Sequence, residues 1–232
     1  FCSCTLKSGL WLVIRASQRM VDAERELLHD ALEEMNLSVS GTQIDQLIAY
    51  TDLLEKWNQA YNLTAIRDRR EIFYRHLIES LSIAPFVTGS LRLDVGTGAG
   101  LPGIPLAILE PDVTYVLLDS NGKKTRFLTE VKRSLGLSNI EVTTARVEKW
   151  DPAEPFDAIV TRAFADLATT CQRIDHVLAH RGMLLAMKTE RAIQEVSVIP
   201  DQFEQVSCWD IAIPGRDWPL QLQVIRRRPG SD

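Results

Sequence analysis

The residues best placed to do chemistry in this chain lie in the run Arg92-Leu93-Asp94-Val95-Gly96-Thr97-Gly98-Ala99-Gly100-Leu101-Pro102-Gly103. A short apolar stretch leads into an acid and then into alternating glycines. Glycines at that spacing let the backbone turn sharply and approach a ligand that a Cβ would repel. Twenty-five residues after Asp94, a second stretch, Thr114-Tyr115-Val116-Leu117-Leu118, ends in Asp119. A carboxylate at a strand end can accept hydrogen bonds from both hydroxyls of a ribose. The two acids and the loop outline a nucleoside-cofactor site at the carboxyl ends of parallel strands.

Two cofactor classes share such a loop. Gly98-x-Gly100-x-x-Gly103 formally satisfies the dinucleotide fingerprint, with Asp119 near the expected ~20-residue distance. Against that reading, Pro102 and Pro105 remove backbone N–H donors where a phosphate-binding helix should open. Asp94 is unfavourable beside a pyrophosphate and favourable beside a cation. S-adenosylmethionine carries a sulfonium, an amine and no phosphate. The pattern Asp-x-Gly-x-Gly-x-Gly resembles the loop of Rossmann-like methyltransferases. The plainer alternative is a structural turn in an α/β domain.

These residues need strands and helices to hold them. Helical periodicity runs from Val21 to Asn36, over residues 43–61 with Ser40 as N-cap, and over residues 70–83, where Pro85 stops it. From Leu91 onward strands and helices alternate. Strands are expected at Leu91–Val95, Val113–Leu118, Ile140–Thr144, Ala158–Thr161 and Met183–Met187. Helices are expected at Ile104–Leu109, Lys123–Leu135, Leu167–Ala179 and Glu190–Val196. Two late strands, Val206–Ile213 and Gln221–Arg226, have no strong helix between them and fit an antiparallel hairpin. The expectation is an α/β, Rossmann-like fold: a mostly parallel sheet with an antiparallel C-terminal strand, preceded by a helical extension. The expected divisions are residues 20–88 for the extension and 89–232 for the sheet domain. Residues 1–19 are patterned unlike the rest and Phe1 is no initiator, so they read as a non-native or accessory segment before a start near Met20.

The chain has 232 residues, 45% hydrophobic and 25% charged, and a net charge of −5. That suits a globular α/β protein and gives no global positive field for nucleic acid. Basic residues do cluster locally, at Arg67/Arg69/Arg70, Lys123/Lys124/Arg126 and Arg226/Arg227/Arg228. Such runs are mostly solvated faces, yet a small basic patch on an acidic protein can serve a folded RNA. Cys2, Cys4, Cys171 and Cys208 form no Cys-x-x-Cys pair and have no histidine cluster beside them. A reducing compartment and no metal site are expected. No apolar run approaches the ~20 residues needed to span a membrane.

Further stretches narrow the class. They are Lys56-Trp57-Asn58-Gln59-Ala60-Tyr61-Asn62-Leu63-Thr64, Arg75-His76-Leu77-Ile78-Glu79-Ser80, Asp94–Pro105, Leu118-Asp119-Ser120, Arg146-Val147-Glu148 and Thr161-Arg162-Ala163-Phe164-Ala165. In this order they strongly resemble the small-subunit ribosomal RNA guanine-N7 methyltransferases, the RsmG family, formerly glucose-inhibited division protein B. The resemblance covers about Val21 to Arg226 and is less distinctive from Ile193 onward. It implies a cytoplasmic enzyme that uses S-adenosylmethionine to methylate one guanine in small-subunit ribosomal RNA, naked or in an assembling subunit. A monomer is the favoured state.

Carried over by motif position, Gly96, Gly98 and Leu101 would contact the cofactor and Asp119 would take the ribose. Val147 and Glu148 would flank the adenine. Arg162 would sit at the methyl-transfer mouth, touching the cofactor and positioning substrate, and Asp94 would organise the loop and the methionine end. Each has a plainer counterpart: Asp119 as a helix cap, Glu148 as a solvated loop carboxylate, Arg162 as the partner of a nearby acid. Trp57 and Tyr61 fit packing better than a base-stacking platform. His76 fits a structural hydrogen bond better than catalysis.

The sequence around β-strand four also restricts the reaction. Methylases of exocyclic base amines carry an Asn/Asp-Pro-Pro-aromatic segment where this chain has Thr161-Arg162-Ala163-Phe164. Cytosine C5 chemistry needs a nucleophilic cysteine, and neither Cys171 nor Cys208 has a suitable context. Guanine N7 has an in-plane lone pair and no proton, so its methylation requires alignment and no general base. The alternatives are a Rossmann-like methyltransferase for a small molecule or protein, a non-catalytic RNA-binding protein, and a dinucleotide oxidoreductase.

Overall fold

The computed structural model describes residues 22–189 and 199–230. Its strands are β1 (Leu91–Val95), β2 (Thr114–Asp119), β3 (Ile140–Thr144), β4 (Phe156–Arg162), β5 (Leu178–Thr189), β6 (Phe203–Asp210) and β7 (Leu220–Arg227). They form one sheet in the order β3-β2-β1-β4-β5-β7-β6. The first five are parallel, and β7 runs antiparallel to both β5 and β6. From β1 the chain winds outward to β2 and β3, then returns to the other side for β4 and β5. The strand order therefore reverses between β1 and β4, where α/β sheets open a crevice at their carboxyl ends.

The helices are α1 (residues 22–34), α2 (Gly41–Tyr61), α3 (residues 69–81), α4 (Gly103–Leu109), α5 (Gly122–Leu135) and α6 (Leu167–Ile174). Their starts are set by side chains that satisfy otherwise orphaned N–H groups. Ser40 and Gln43 form a capping box on α2, Asp68 caps α3, Asn121 caps α5 and Asp166 caps α6. The middle of α3, Phe73–Ile78, widens into a π-helical turn.

Alternation along the strands divides the core in two. Tyr115 and Leu117, Ala158 and Val160, Leu185 and Met187, and Leu222 and Val224 face one side. Leu28 and Leu32 of α1, Leu47 and Leu54 of α2, and Ile72 and Leu77 of α3 belong to that same cluster. The N-terminal helices thus share their core with the sheet. The opposite face packs Leu93, Val95, Val116, Leu118, Ile159 and Leu184 against Leu167, Cys171 and Ile174 of α6. Odd-numbered β1 residues point to the α6 side, so Arg92 and Asp94 point into the layer built by α2–α5.

One expected helix is corrected. Leu167–Ala179 is helical only to Ile174; Asp175–Val177 forms a tight turn, and β5 begins at Leu178. Leu178 pairs with Phe156, and both are buried. Sheet pairing there overrides a helical pattern. Residues 211–213 of the expected late strand leave the sheet for the β6–β7 connection, where Ile213 bridges to Arg216. The expected Glu190–Val196 helix and residues 1–19 lie outside the described residues.

Candidate cofactor site

Asp94 is fully buried at the end of β1. Its Oδ2 accepts hydrogen bonds from Thr97 Oγ1 at 2.6 Å and from the Gly103 N–H at 2.8 Å. It therefore ties both ends of the glycine loop to one strand. Its Oδ1 is buried with no partner. Burial pushes the Asp94 carboxyl up to about 7, against the opposing pull of those two hydrogen bonds.

Two glycines have a specific steric reason. Gly96 adopts φ +69°, and a Cβ there would lie 2.4 Å from Phe164 Cδ2. At Gly103 a Cβ would stand 2.7 Å from Asp94 Oδ2. The start of α4 offers no phosphate cradle. The Gly103 N–H goes to Asp94, the Ile104 N–H to Gly100 O, and Pro105 has none. The first turn of α4 therefore leaves no backbone donor for a dinucleotide pyrophosphate, since the Leu106 N–H also goes to Pro102 O.

Asp119 ends β2 and is 7% exposed. Its Oδ2 accepts from the Gly98 N–H at 2.9 Å and lies 3.3 Å from Lys124 Nζ, while its Oδ1 accepts from the Asn121 N–H at 2.8 Å. The cap of α5 is Asn121, whose side chain accepts from the Lys123 N–H. Asp119 instead braces the glycine loop directly from the end of the neighbouring strand.

A cavity of about 280 Å³ opens at the carboxyl ends of β1–β4. Of the predicted residues, Gly96, Asp119, Val147 and Glu148 line it. Gly98 is joined to it through Asp119, and Asp94 lies beneath the loop. Leu101 and Arg162 are not among its lining residues; Leu101 is buried in the helical-side core. Val147 is buried, whereas Glu148 is 38% exposed and pairs with Arg173 Nε at 2.8 Å.

Arg162 is carried by the alternation of β4 to the helical face. Its Nη2 stands 3.2 Å from Glu79 Oε2, and its Nη1 is buried without a hydrogen bond. Glu79 is 1% exposed and its Oε1 accepts from Trp218 Nε1 at 2.8 Å. Burial raises the Glu79 pKa and lowers that of Arg162, each against the attraction of the other. Arg162 is thus paired with a nearby acid. Ala163, at φ +54°, turns the chain so that Phe164 lies over Gly96.

Several lining residues carry no assignment from sequence. Phe164 stands within the stretch Thr161–Ala165, and its bulk just past a strand end was the available signal. Lys124 and Arg173 reach the cavity from α5 and α6, and no spacing rule links them to it. His76 is buried and hydrogen-bonded on both ring nitrogens. Nδ1 lies 3.1 Å from Arg75 O and Nε2 lies 2.7 Å from Thr64 Oγ1. Burial, then the nearby Arg162 charge, lowers its pKa to about 3. This is the expected structural role. Trp57 packs on Phe127 as expected, whereas Tyr61 is 45% exposed. His29, Asp30 and Glu33 are close enough to hold a metal ion, but they are exposed on α1 and share no residue with the cavity.

Comparison with known proteins agrees with this architecture. A family model described as rRNA small subunit methyltransferase G matches residues 43–216. The chain belongs to that family. It is 47% identical to ribosomal RNA small subunit methyltransferase G of Marinobacter nauticus over 86% of this chain and 94% of the relative. It is 44% identical to the protein of the same name from Nitrosococcus oceani, over 89% and 96% of the two chains. Among solved structures, mitomycin 7-O-methyltransferase shares the fold with TM-score 0.53 at 14% identity, covering 80% of this chain and 67% of that one. Every residue lining the cavity falls within the part matched by the methyltransferase G family model.

Proposed function

We propose that this protein transfers the methyl group of S-adenosylmethionine to N7 of a guanine in small-subunit ribosomal RNA. The observation that carries this reading is the Asp94–Gly103 loop tied directly to Asp119 beside a cavity that Gly96 and Asp119 both line, in a chain of the methyltransferase G family. The residues present fit the cofactor. Asp94 has a buried oxygen without a partner, suited to a cation, and Gly96 gives the backbone room that a Cβ would take. Asp119 would take the ribose hydroxyls, Val147 and Glu148 the adenine, and Gly96, Gly98 and Leu101 the loop side. When bound, that cofactor supplies an electrophilic methyl group on a sulfonium.

The chain's own task is alignment. Guanine N7 has no proton to lose, so no base is required, and positioning can supply several kcal/mol. That agrees with His76, which is engaged on both nitrogens and turned to Thr64 and Arg75. Arg162 would hold the guanine or its phosphate with the guanidinium edge that Glu79 leaves unpaired.

Tritiated S-adenosylmethionine, incubated with unmodified small-subunit rRNA, with subunits and with small molecules, tests the substrate class. The expected product is 7-methylguanosine at one site, revealed by strand cleavage after borohydride and aniline treatment. A methylated exocyclic amine, ribose or cytosine carbon would overturn the N7 assignment, and tighter binding of NAD would overturn the cofactor. Asp119→Ala should weaken cofactor binding by about 1–3 kcal/mol, the scale of charge-assisted hydrogen bonds. Calorimetry showing unchanged affinity would reduce Asp119 to a brace for Gly98.

A further inference from the structure

The three basic clusters differ in what their charges do. Arg69 is engaged by Glu24, Asp52 and Glu55. Arg226 pairs with Glu204, and Arg227 with Asp175. These three arginines are neutralised within the protein, whereas Arg67, which donates to the neutral Asn62 Oδ1, and Arg70 are exposed. On α5, Lys123 and Arg126 are exposed, and among the described residues no carboxylate pairs with either.

Beside them lies an aromatic arrangement that packing alone does not use up. Phe127 of α5 is fully buried, and Trp57 of α2 rests on it with ring centroids 5.6 Å apart. Tyr61 stacks on Trp57 at 5.1 Å with an interplanar angle of 28°. Yet Tyr61 is 45% exposed. One face of the ring is fixed against Trp57, while much of the side chain remains open to solvent.

Contacts between the two helices place this ring relative to the cavity. Gln46, early in α2, donates to the carbonyl of Leu135 at the end of α5 at 2.9 Å. Trp57, late in α2, meets Phe127 in the middle of α5. The two helices therefore run antiparallel. Tyr61, the last residue of α2, is directed toward the start of α5, where Lys123 and Lys124 stand. Lys124 lines the cofactor cavity and precedes Phe127 by less than one helical turn, about 4.5 Å of rise.

We propose that Tyr61, backed by Trp57, is a stacking platform for a base of a single-stranded RNA segment beside the target guanine, with Lys123 and Arg126 holding its phosphates. A ring held in advance against Trp57 loses little freedom when a base stacks on its open side. Aromatic stacking plus a basic track is the general chemistry of single-strand binding. RNA is favoured over a protein partner because the unpaired cations and the exposed aromatic ring occur together. The proposal rests on the rRNA methyltransferase reading.

The test uses the full chain and small-subunit rRNA lacking the methyl group. RNA binding is measured by filter retention at several salt concentrations, cofactor binding by calorimetry, and methyl transfer at saturating and limiting RNA. Tyr61→Ala should weaken RNA binding by about 10-fold or more and raise KM for RNA, with kcat and cofactor affinity unchanged. Tyr61→Phe, which keeps the ring, should behave as the unaltered protein. Replacing Lys123 and Arg126 together by alanine should flatten the salt dependence by about 1.4 in log–log slope, about 0.7 for each single-strand phosphate contact. Tyr61→Ala binding RNA normally would overturn the platform, as would Tyr61→Phe failing equally or cofactor affinity falling with RNA affinity. If the unaltered chain binds cofactor but neither binds nor methylates rRNA, the substrate reading fails and this proposal with it. A defect confined to Tyr61→Ala and the double variant isolates the platform.

Discussion

Arg162→Ala should lower turnover by about 10²–10³-fold, the scale for removing one preorganised donor at a reacting centre, while cofactor affinity stays nearly unchanged. Arg162 leaves β4 on the helical face, clear of the cavity lining, with one buried guanidinium nitrogen unpartnered. A donor left unsatisfied is costly, and its retention needs a reason. A guanine oxygen or a phosphate arriving at the mouth would satisfy it. The simple variant also breaks a buried ion pair, which costs about 3–5 kcal/mol when one charge is left alone.

The two effects separate by pH and by a milder variant. Burial already raises the Glu79 pKa, and Arg162 opposes that rise. Without Arg162 the Glu79 carboxyl is pushed higher still. A raised folded-state pKa gives stability that is present at low pH and lost as pH rises. The melting temperature of Arg162→Ala should therefore fall further behind the unaltered protein at pH 8 than at pH 5. Arg162→Lys keeps a cation for Glu79 but loses the planar fork, so it should restore stability more than turnover. If turnover survives in Arg162→Ala while only the melting temperature drops, Arg162 is a structural ion-pair partner and has no hold on the substrate.

The division between what the sequence discloses and what it hides follows the range of the interactions. The loop from Asp94 to Gly103 is legible because its glycines answer local demands: a positive φ at Gly96 and a close approach of Gly103 to Asp94. Asp119 is legible because it closes an apolar strand. Ser40 is legible because a cap acts only three residues ahead. The start of β5 is not, since Leu178 is drawn into the sheet by Phe156, a partner 22 residues earlier. The surroundings of Arg162 are hidden for the same reason. Trp218 reaches Glu79 across 139 residues of chain, and no periodicity encodes that meeting. Tyr61 shows a subtler limit. Its helical spacing predicts burial, but it occupies the last position of α2, where the neighbouring layer no longer covers it.

Asp94 supplies the second large effect, a cofactor affinity that rises with pH and levels off near 7. Its carboxyl is held up at about 7 mainly by burial, with Thr97 and Gly103 pulling it down. In the free protein that raised value gives Asp94 a contribution to stability that is fully present below the ordinary carboxylate range and is lost as pH rises through about 7. A cation bound against Oδ1 favours the ionised form. Binding below pH 7 must then release a proton, and affinity should fall by up to about tenfold per pH unit. Calorimetry at pH 6 in buffers of different ionisation enthalpy measures the proton directly. Asp94→Asn isolates the charge from the loop contacts, because both existing hydrogen bonds are accepted by the same oxygen, Oδ2. An amide oxygen in that place preserves the loop and puts an NH₂ group where the orphaned oxygen stood. The variant should melt no lower at pH 8, lose about 100-fold in cofactor affinity on the scale of 1.4 kcal/mol per tenfold, and show no pH dependence between 5 and 8. Equal affinity for the unaltered protein at pH 6 and pH 8, with no proton released, would place the cofactor's positive end away from Asp94 and leave that residue as a fastener of the loop.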